Sequence, residues 1–375
     1  MTASWFQRYL LPGFAFKAVV IGGGYATGRE LVEFFLPTGP RGGLLAMLFA
    51  AVIWSVVCIV TFLFARATHS EDYRTFFRHL LGRGWIAFEI AYCLFIVLIL
   101  AVFGAAAGAI GASLLGWPPL VGTLCLMLGI ALFVAFGNAS VEELFKWVSF
   151  FLYGVYALFV ILALGKFGDR ISANLALEVP TDGWLLAGVT YAGYNIVGAV
   201  IILPVLRHLT SNRDAIIAGA LAGPLAMIPA VLFFVCMIAY YPEVGTQALP
   251  SDFLLQKLDA PLFHAVFQFM IFAALLESGT GSVHAVNQRI AQVWQARSGR
   301  DLSARARFIA AGILLVVAML LADRFGLVTL IARGYRGLAY MLIAVYVLPV
   351  LTYGVWLLWQ RRAQPALAPV SPAQQ

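Results

Sequence analysis

Arg29 and Glu30 sit side by side inside the first long apolar stretch of the chain, directly after Ile21-Gly22-Gly23-Gly24-Tyr25-Ala26-Thr27-Gly28. Charges at membrane depth are expensive, and each glycine weakens a helix by roughly 1 kcal/mol relative to alanine. Glycine also unwinds without strain. Unwinding frees carbonyls at the end of one half-helix and N–H groups at the start of the next. The carbonyls attract a cation and the N–H groups a carboxylate. On that reading Gly22, Gly23, Gly24, Tyr25 and Thr27 line a solute site. Arg29 either holds a substrate carboxylate bidentately or closes an outer gate, and Glu30 binds an amine or a proton. The alternative is that the glycines serve close helix packing and that Arg29 merely neutralises Glu30 or Glu33.

A second cluster reads Thr190-Tyr191-Ala192-Gly193-Tyr194-Asn195, again inside an apolar run. Tyr191 and Tyr194 either shape a lid over a site or simply pack. Gly193 marks a second interruption, and Asn195 caps freed backbone or contacts solute. A third reads Glu277-Ser278-Gly279-Thr280-Gly281-Ser282-Val283-His284. Glu277, Thr280 and His284 fall at helical spacing on one face. Buried glutamate and histidine are plausible proton carriers, or they fix helix packing by hydrogen bonds.

The elements that position these residues follow from composition. Of 375 residues, 62% are hydrophobic and 11% charged, with mean hydropathy +0.93. A soluble domain is nearer half apolar and a quarter charged, so the chain is expected to be an all-α integral membrane protein whose partner is the lipid bilayer. Long, unalternating apolar runs exclude barrel strands. Ten spans are expected, at about 10–36, 43–66, 84–115, 118–136, 141–166, 183–206, 212–241, 261–290, 304–323 and 330–358. The segment 67–83, with Phe76, Phe77, Leu80 and Leu81 among charges, reads as an interfacial helix. The tail 363–375 is Ala/Pro/Gln-rich and reads as disordered. No cleavable signal peptide is expected, because Lys17 interrupts the first apolar run.

With the N-terminus inside, fifteen Lys and Arg fall on inner segments and seven on outer ones, Lys17 and Arg29 lying within span 1. That bias puts both termini in the cytoplasm and accounts for the net charge of +7 without nucleic acid. Cys58, Cys93, Cys125 and Cys236 lie in apolar segments and read as small buried hydrophobes, with no disulfide framework and no zinc pattern. No cofactor or metal is expected. The two interruptions fall in spans 1 and 6 of ten. A five-span offset turns the second half upside-down, the arrangement of an inverted-repeat transporter, here about 10–166 and 183–358 within one domain, 1–362.

The segment GGGYATGRE followed by Leu31-Val32-Glu33-Phe34-Phe35 resembles the first-span signature of the YkvI group of bacterial membrane proteins. Relative to that pattern, Gly23 stands for Ala, Tyr25 for Phe, Thr27 for Ser and Arg29 for Gln. The likeness extends to YAGYN in span 6 and ESGTGSVHAVNQR in span 8. The group is similar to the amino acid–polyamine–cation superfamily, and the resemblance implies the LeuT-type fold of five plus five spans with helices 1 and 6 broken, in a bacterial inner membrane. In sodium symporters of that fold, carbonyls of the span 1 break and two neighbouring hydroxyls of span 8 hold the ion. Thr280 matches the first, Gly281 stands where the second belongs, and Ser282 follows, so this sodium site looks degraded. Some proton-coupled relatives place a lysine of span 5 there, which implicates Lys146. Alternatively Lys146 snorkels and pairs with Glu142 or Glu143.

The expected function is secondary active transport of a small solute (an amino acid, amine or related zwitterion or cation) by alternating access, coupled to protons rather than sodium. The alternatives are an amino-acid sensor like germinant-receptor subunits, which resemble the same superfamily, and a sodium symporter. A channel fits paired broken helices less well. Neither a nucleotide-binding loop nor paired catalytic acids, an HExxH motif or a nucleophile elbow is present in the sequence, so neither ATP-driven transport nor an enzyme is expected.

Overall fold

The structure is a computed structural model. It describes the backbone of residues 4–21, 23–136 and 138–363, and side chains except those of 23–24, 136–150, 296–297, 304 and 361–363. Gly22, the side chain of Lys146 and the tail beyond 363 therefore lie outside the described residues.

In chain order the helices are α1 (Trp5–Tyr9), α2 (Leu11–Val20), α3 (Gly23–Ala26), α4 (Arg29–Phe34), α5 (Gly39–Thr68), α6 (Tyr73–Leu81), α7 (Trp85–Leu115), α8 (Pro119–Phe136), α9 (Asn138–Leu175), α10 (Trp184–Asn195), α11 (Gly198–Ile201), α12 (Asn212–Ile238), α13 (Pro250–Leu258), α14 (Pro261–Ser298), α15 (Ala304–Thr329), α16 (Arg336–Leu342) and α17 (Val355–Ala363). Seven described helical stretches are long and apolar enough to cross a membrane, and Leu11–Val20 and Pro119–Ala135 are shorter apolar helices. The stretch Arg29–Thr68 contains the end of span 1 and all of span 2. Arg305–Gln360 divides at Gly326, whose φ of 68° and ψ of 167° break the helix. Span 1 is then α2 to α4 and span 6 is α10 to α11, which gives ten crossings among the described residues.

Large apolar side chains that point outward, such as Leu48, Ile161, Phe269 and Ile313 at 61–67% exposure, form the surface that lipid covers. Cys58 and Cys236 are buried, but Cys93 and Cys125 are exposed, so two of the four cysteines do not match the buried role read from the sequence. On the outer surface of a membrane bundle an apolar residue needs no core to be at home.

Helix starts follow local chemistry. Ser211 and Asp214 form a reciprocal capping box at α12, and Asp72 accepts from the amide of Thr75 at 2.9 Å to start α6. The interfacial helix expected at 67–83 is α6, and its apolar side is buried: Phe76 and Phe77 pack on Tyr346 of span 10. Span 10 also carries π-helical turns at Leu330–Tyr335, Ile343–Val347 and Val350–Gly354, a feature frequent at functional sites. The face that carries α1 and α6 is called the near face below, and the face that carries α4 and α13 the far face.

Candidate functional site

Span 1 is interrupted twice. Helix α2 ends at Ile21, with φ −87° and ψ 69°, one helical turn follows at Gly23–Ala26, and a second break occurs at Gly28, with φ 78°. A residue at that φ is strained unless it is glycine, and a Cβ there would lie 2.3 Å from Cε of Met237. The glycine run thus marks only the first interruption, and Gly23 and Gly24 begin a helical turn. Thr27 is fully buried. Its carbonyl accepts from the amide of Ser251 at 3.0 Å, which ties the break to α13, and its hydroxyl accepts from the amide of Arg29 at 3.3 Å.

In span 6 the interruption lies later than the sequence suggested. Residues 190–195 are helical through Asn195, and the turn comes at Ile196–Val197, before α11. Gly193 is a packing glycine: a Cβ would lie 2.8 Å from Cδ1 of Ile343 and 3.2 Å from the carbonyl of Ala339. Asn195 donates through Nδ2 to the carbonyl of Tyr191 at 3.3 Å.

The two interruptions meet. The hydroxyl of Tyr194 donates to Oε2 of Glu30, and both residues are buried. They border a cavity of about 20 Å³, the room of about one water. Its walls include Val20 and Tyr25 of span 1, Asn195 of span 6, Phe103 of span 3 and Tyr335 of span 10. The ring of Tyr194 lies between Tyr335, 4.6 Å away, and Phe34, 5.5 Å away, both stacked. Tyr25 shares a hydrogen bond of 3.3 Å with Tyr156, whose hydroxyl donates to the carbonyl of Pro229 at 2.9 Å. Tyr191 packs on Phe35 and Trp54, and its buried hydroxyl has no partner.

Arg29 is not part of that cavity wall. Its Nη1 donates to the carbonyls of Gly245 and Gln247 at 3.2 and 2.9 Å, and its Nη2 to Glu33 at 2.8 Å. Both terminal nitrogens are therefore committed to the far-face loop and to Glu33, the arrangement of the gate and ion-pair readings of Arg29. Arg336 of span 10 approaches the other oxygen of Glu33 at 3.7 Å. On the near face, Arg8 grips Asp214 bidentately at 2.9 and 2.8 Å. Arg289 of span 8 grips Glu89 of span 3 at 2.9 and 3.1 Å.

Span 8 packs against the turn Gly23–Ala26. Thr280 is fully buried and donates to the carbonyl of Leu276 at 2.7 Å; Ser282 donates to that of Ser278 at 2.8 Å. Both hydroxyls thus spend their protons on their own helix. Glu277 is half-buried and engaged with a neighbour. His284 shares a 2.8 Å hydrogen bond with Gln288.

Sequence reasoning missed Tyr335 and Phe103, which look like ordinary apolar residues of spans 10 and 3. It also missed Asp252 of α13, whose carboxylate accepts from Ser113, Gln256, His264 and Gln268 at 2.6–2.8 Å. That network fastens α13 to spans 3 and 8.

No protein-family model matches the chain. The chain is similar to the uncharacterized membrane protein YkvI of Bacillus subtilis strain 168, 25% identical over 281 residues that cover 74% of this chain and 79% of that protein. Among solved structures it is similar to MhsT in complex with L-phenylalanine (TM-score 0.61, 15% identity, 96% of this chain and 98% of that one). A Na+-coupled sialic acid symporter gives TM-score 0.59 at 12% identity, over 93% and 82% of the two chains. An Eremococcus coleocola manganese transporter gives 0.56 at 16%, over 92% and 78%. The chain thus has the LeuT-type membrane fold, with spans 1 and 6 both interrupted, and a sequence similar to YkvI.

Proposed function

We propose that the protein is a secondary active transporter of a small solute that works by alternating access. The observation that carries this reading is the small cavity at Glu30 and Tyr194, where two interrupted spans meet. Irregular backbone at membrane depth is tolerated where it lines such a cavity. Two of the solved structures of similar fold are by their titles a manganese transporter and a Na+-coupled sialic acid symporter. In this reading the repeats are 10–166 and 183–358, and spans 1 and 6 move against the rest. Arg29, Glu33 and Arg336 tie the far side, and Arg8–Asp214 and Arg289–Glu89 tie the near side. The arginine bias supports an orientation with both termini inside.

The coupling ion is the proton. Supporting this are Gly281, which lacks the hydroxyl a second sodium ligand would need beside Thr280, and Glu277 on the same helix. His284 and Lys146 are secondary candidates. The test is solute-driven proton flux in proteoliposomes, followed with a pH dye, using pools of amino acids, polyamines and small organic cations. The expected result is flux with one pool that is lost in Glu277→Gln and indifferent to a sodium gradient. Flux that requires sodium overturns the proton assignment, and solute binding without flux replaces the transporter by a sensor.

A further inference from the structure

We infer that the central cavity selects a cationic ammonium head and rejects solutes that carry a carboxylate, with Glu30 as the residue that sets this choice. The inference rests on the transporter reading for its site and deepens it by naming the substrate class.

Three independent features give the site its sign. Glu30 is the one charged side chain among the described residues that line it. The nearest cation along the chain, Arg29, has both terminal nitrogens spent on Glu33 and on the carbonyls of Gly245 and Gln247. Helix orientation adds to this. Helix α2, of 10 residues, and α10, of 12, run toward each other from opposite faces and both end at the cavity, at Val20 and Asn195. Each helix C-terminus carries roughly half a negative charge. The opposing positive ends are weak: α4 has 6 residues and α11 has 4. Amides there are already used, Gly28 bonding to the carbonyl of Tyr25 at 2.9 Å, Arg29 to the hydroxyl of Thr27 at 3.3 Å and Ala199 to the carbonyl of Ile196 at 2.9 Å.

The walls fit the same ligand. Aromatic residues Tyr25, Phe95, Phe103, Tyr194 and Tyr335 line the cavity beside Glu30, and ring faces attract a desolvated cation. The cavity of about 20 Å³ matches an ammonium head, which is about the size of the one water such a space holds. A carboxylate placed there would face Glu30 and two negative helix ends, and like charges brought together at such a site are strongly disfavoured.

The test uses purified full-length protein and three matched probes: ethylamine, propionate and alanine. Thermal unfolding in detergent reads binding, and counterflow in proteoliposomes reads transport. Ethylamine is expected to raise Tm of the wild type by about 3 °C. Propionate and alanine are expected to bind at least about a hundredfold more weakly. Glu30→Gln is expected to lose the ethylamine response. Stabilisation by propionate or alanine at concentrations where ethylamine acts overturns the inference, as does an unchanged ethylamine response in Glu30→Gln. The probe series on wild type decides the question even where that variant fails to fold, and no response to any probe counts against it. Ethylamine binding without counterflow upholds the substrate class while the transporter reading falls. Counterflow of alanine does the reverse.

Discussion

The hydroxyl of Tyr194 donates to the carboxylate of Glu30, so a single buried hydrogen bond joins the two interrupted spans across 164 residues of chain. Glu30 follows the second break of span 1, and Tyr194 precedes the break of span 6. Any movement that separates the two half-helices must break or carry this bond. A bond to a charged group is worth about 1.5–3 kcal/mol. Tyr194→Phe is therefore expected to weaken solute binding by about ten- to a hundredfold, and Glu30→Gln more, as read by concentration-dependent thermal stabilisation. Equal affinity in Tyr194→Phe would mean that the bond is incidental to the site.

Gly28 is required twice, for its φ of 78° and for its contact with Met237 and Phe233. A left-handed conformation costs a non-glycine residue roughly 1–2 kcal/mol, and the close contact adds to that. Gly28→Ala should lower stability by about 2–3 kcal/mol in all, measured as a lower unfolding midpoint in detergent. Gly312, whose Cβ would meet open space, serves as the control, and Gly312→Ala should not destabilise. A midpoint for Gly28→Ala that equals the wild type would show that the break tolerates another geometry.

The far-face ties are unequal. Arg29 is 7% exposed and makes three hydrogen bonds at 3.2 Å or less, whereas the side chain of Arg336 is 51% exposed and stands 3.7 Å from Glu33. Exposed pairs contribute about 0–1 kcal/mol, and breaking a buried one costs about 3–5. Arg29→Gln should accelerate far-face labelling of a cysteine placed at Asn195 by tenfold or more, on the order of its lost bonds. Arg336→Gln should change it by less than about threefold. The opposite ranking would assign the gate to Arg336.

On the near face, Asp214 is fully buried and also accepts from Thr210 and Ser211. Those bonds keep it satisfied when Arg8 is lost, so Arg8→Ala should fold with a modest loss of about 1–2 kcal/mol. Near-face labelling of the same cysteine should rise severalfold. Unfolding of Arg8→Ala would instead make the pair a structural anchor.

Much of the architecture could be read from the sequence because apolar length and arginine placement are strong, local signals. All ten spans lie near the expected positions, and the first break is advertised by three glycines. The second was misplaced because Ile196 and Val197 carry no helix-breaking residue; Gly193 draws the eye but serves close contact with Ile343. The tie of Arg29 to the carbonyls of Gly245 and Gln247 was not legible because those residues lie more than 200 positions away and a backbone carbonyl leaves no signature in the sequence. The aromatic wall from Tyr335 and the Asp252 network share that cause. Both are assembled by packing between distant helices, and no spacing rule records it.

The most direct measurement is the reactivity of a cysteine at Asn195, in a background freed of Cys58, Cys93, Cys125 and Cys236, toward a membrane-impermeant thiol reagent applied to each face of sealed vesicles. Asn195 is 8% exposed and lines the cavity between the breaks. The account predicts slow labelling from either face, with solute slowing both. Reaction from one face alone, whatever the solute, would contradict alternating access and leave a one-sided receptor.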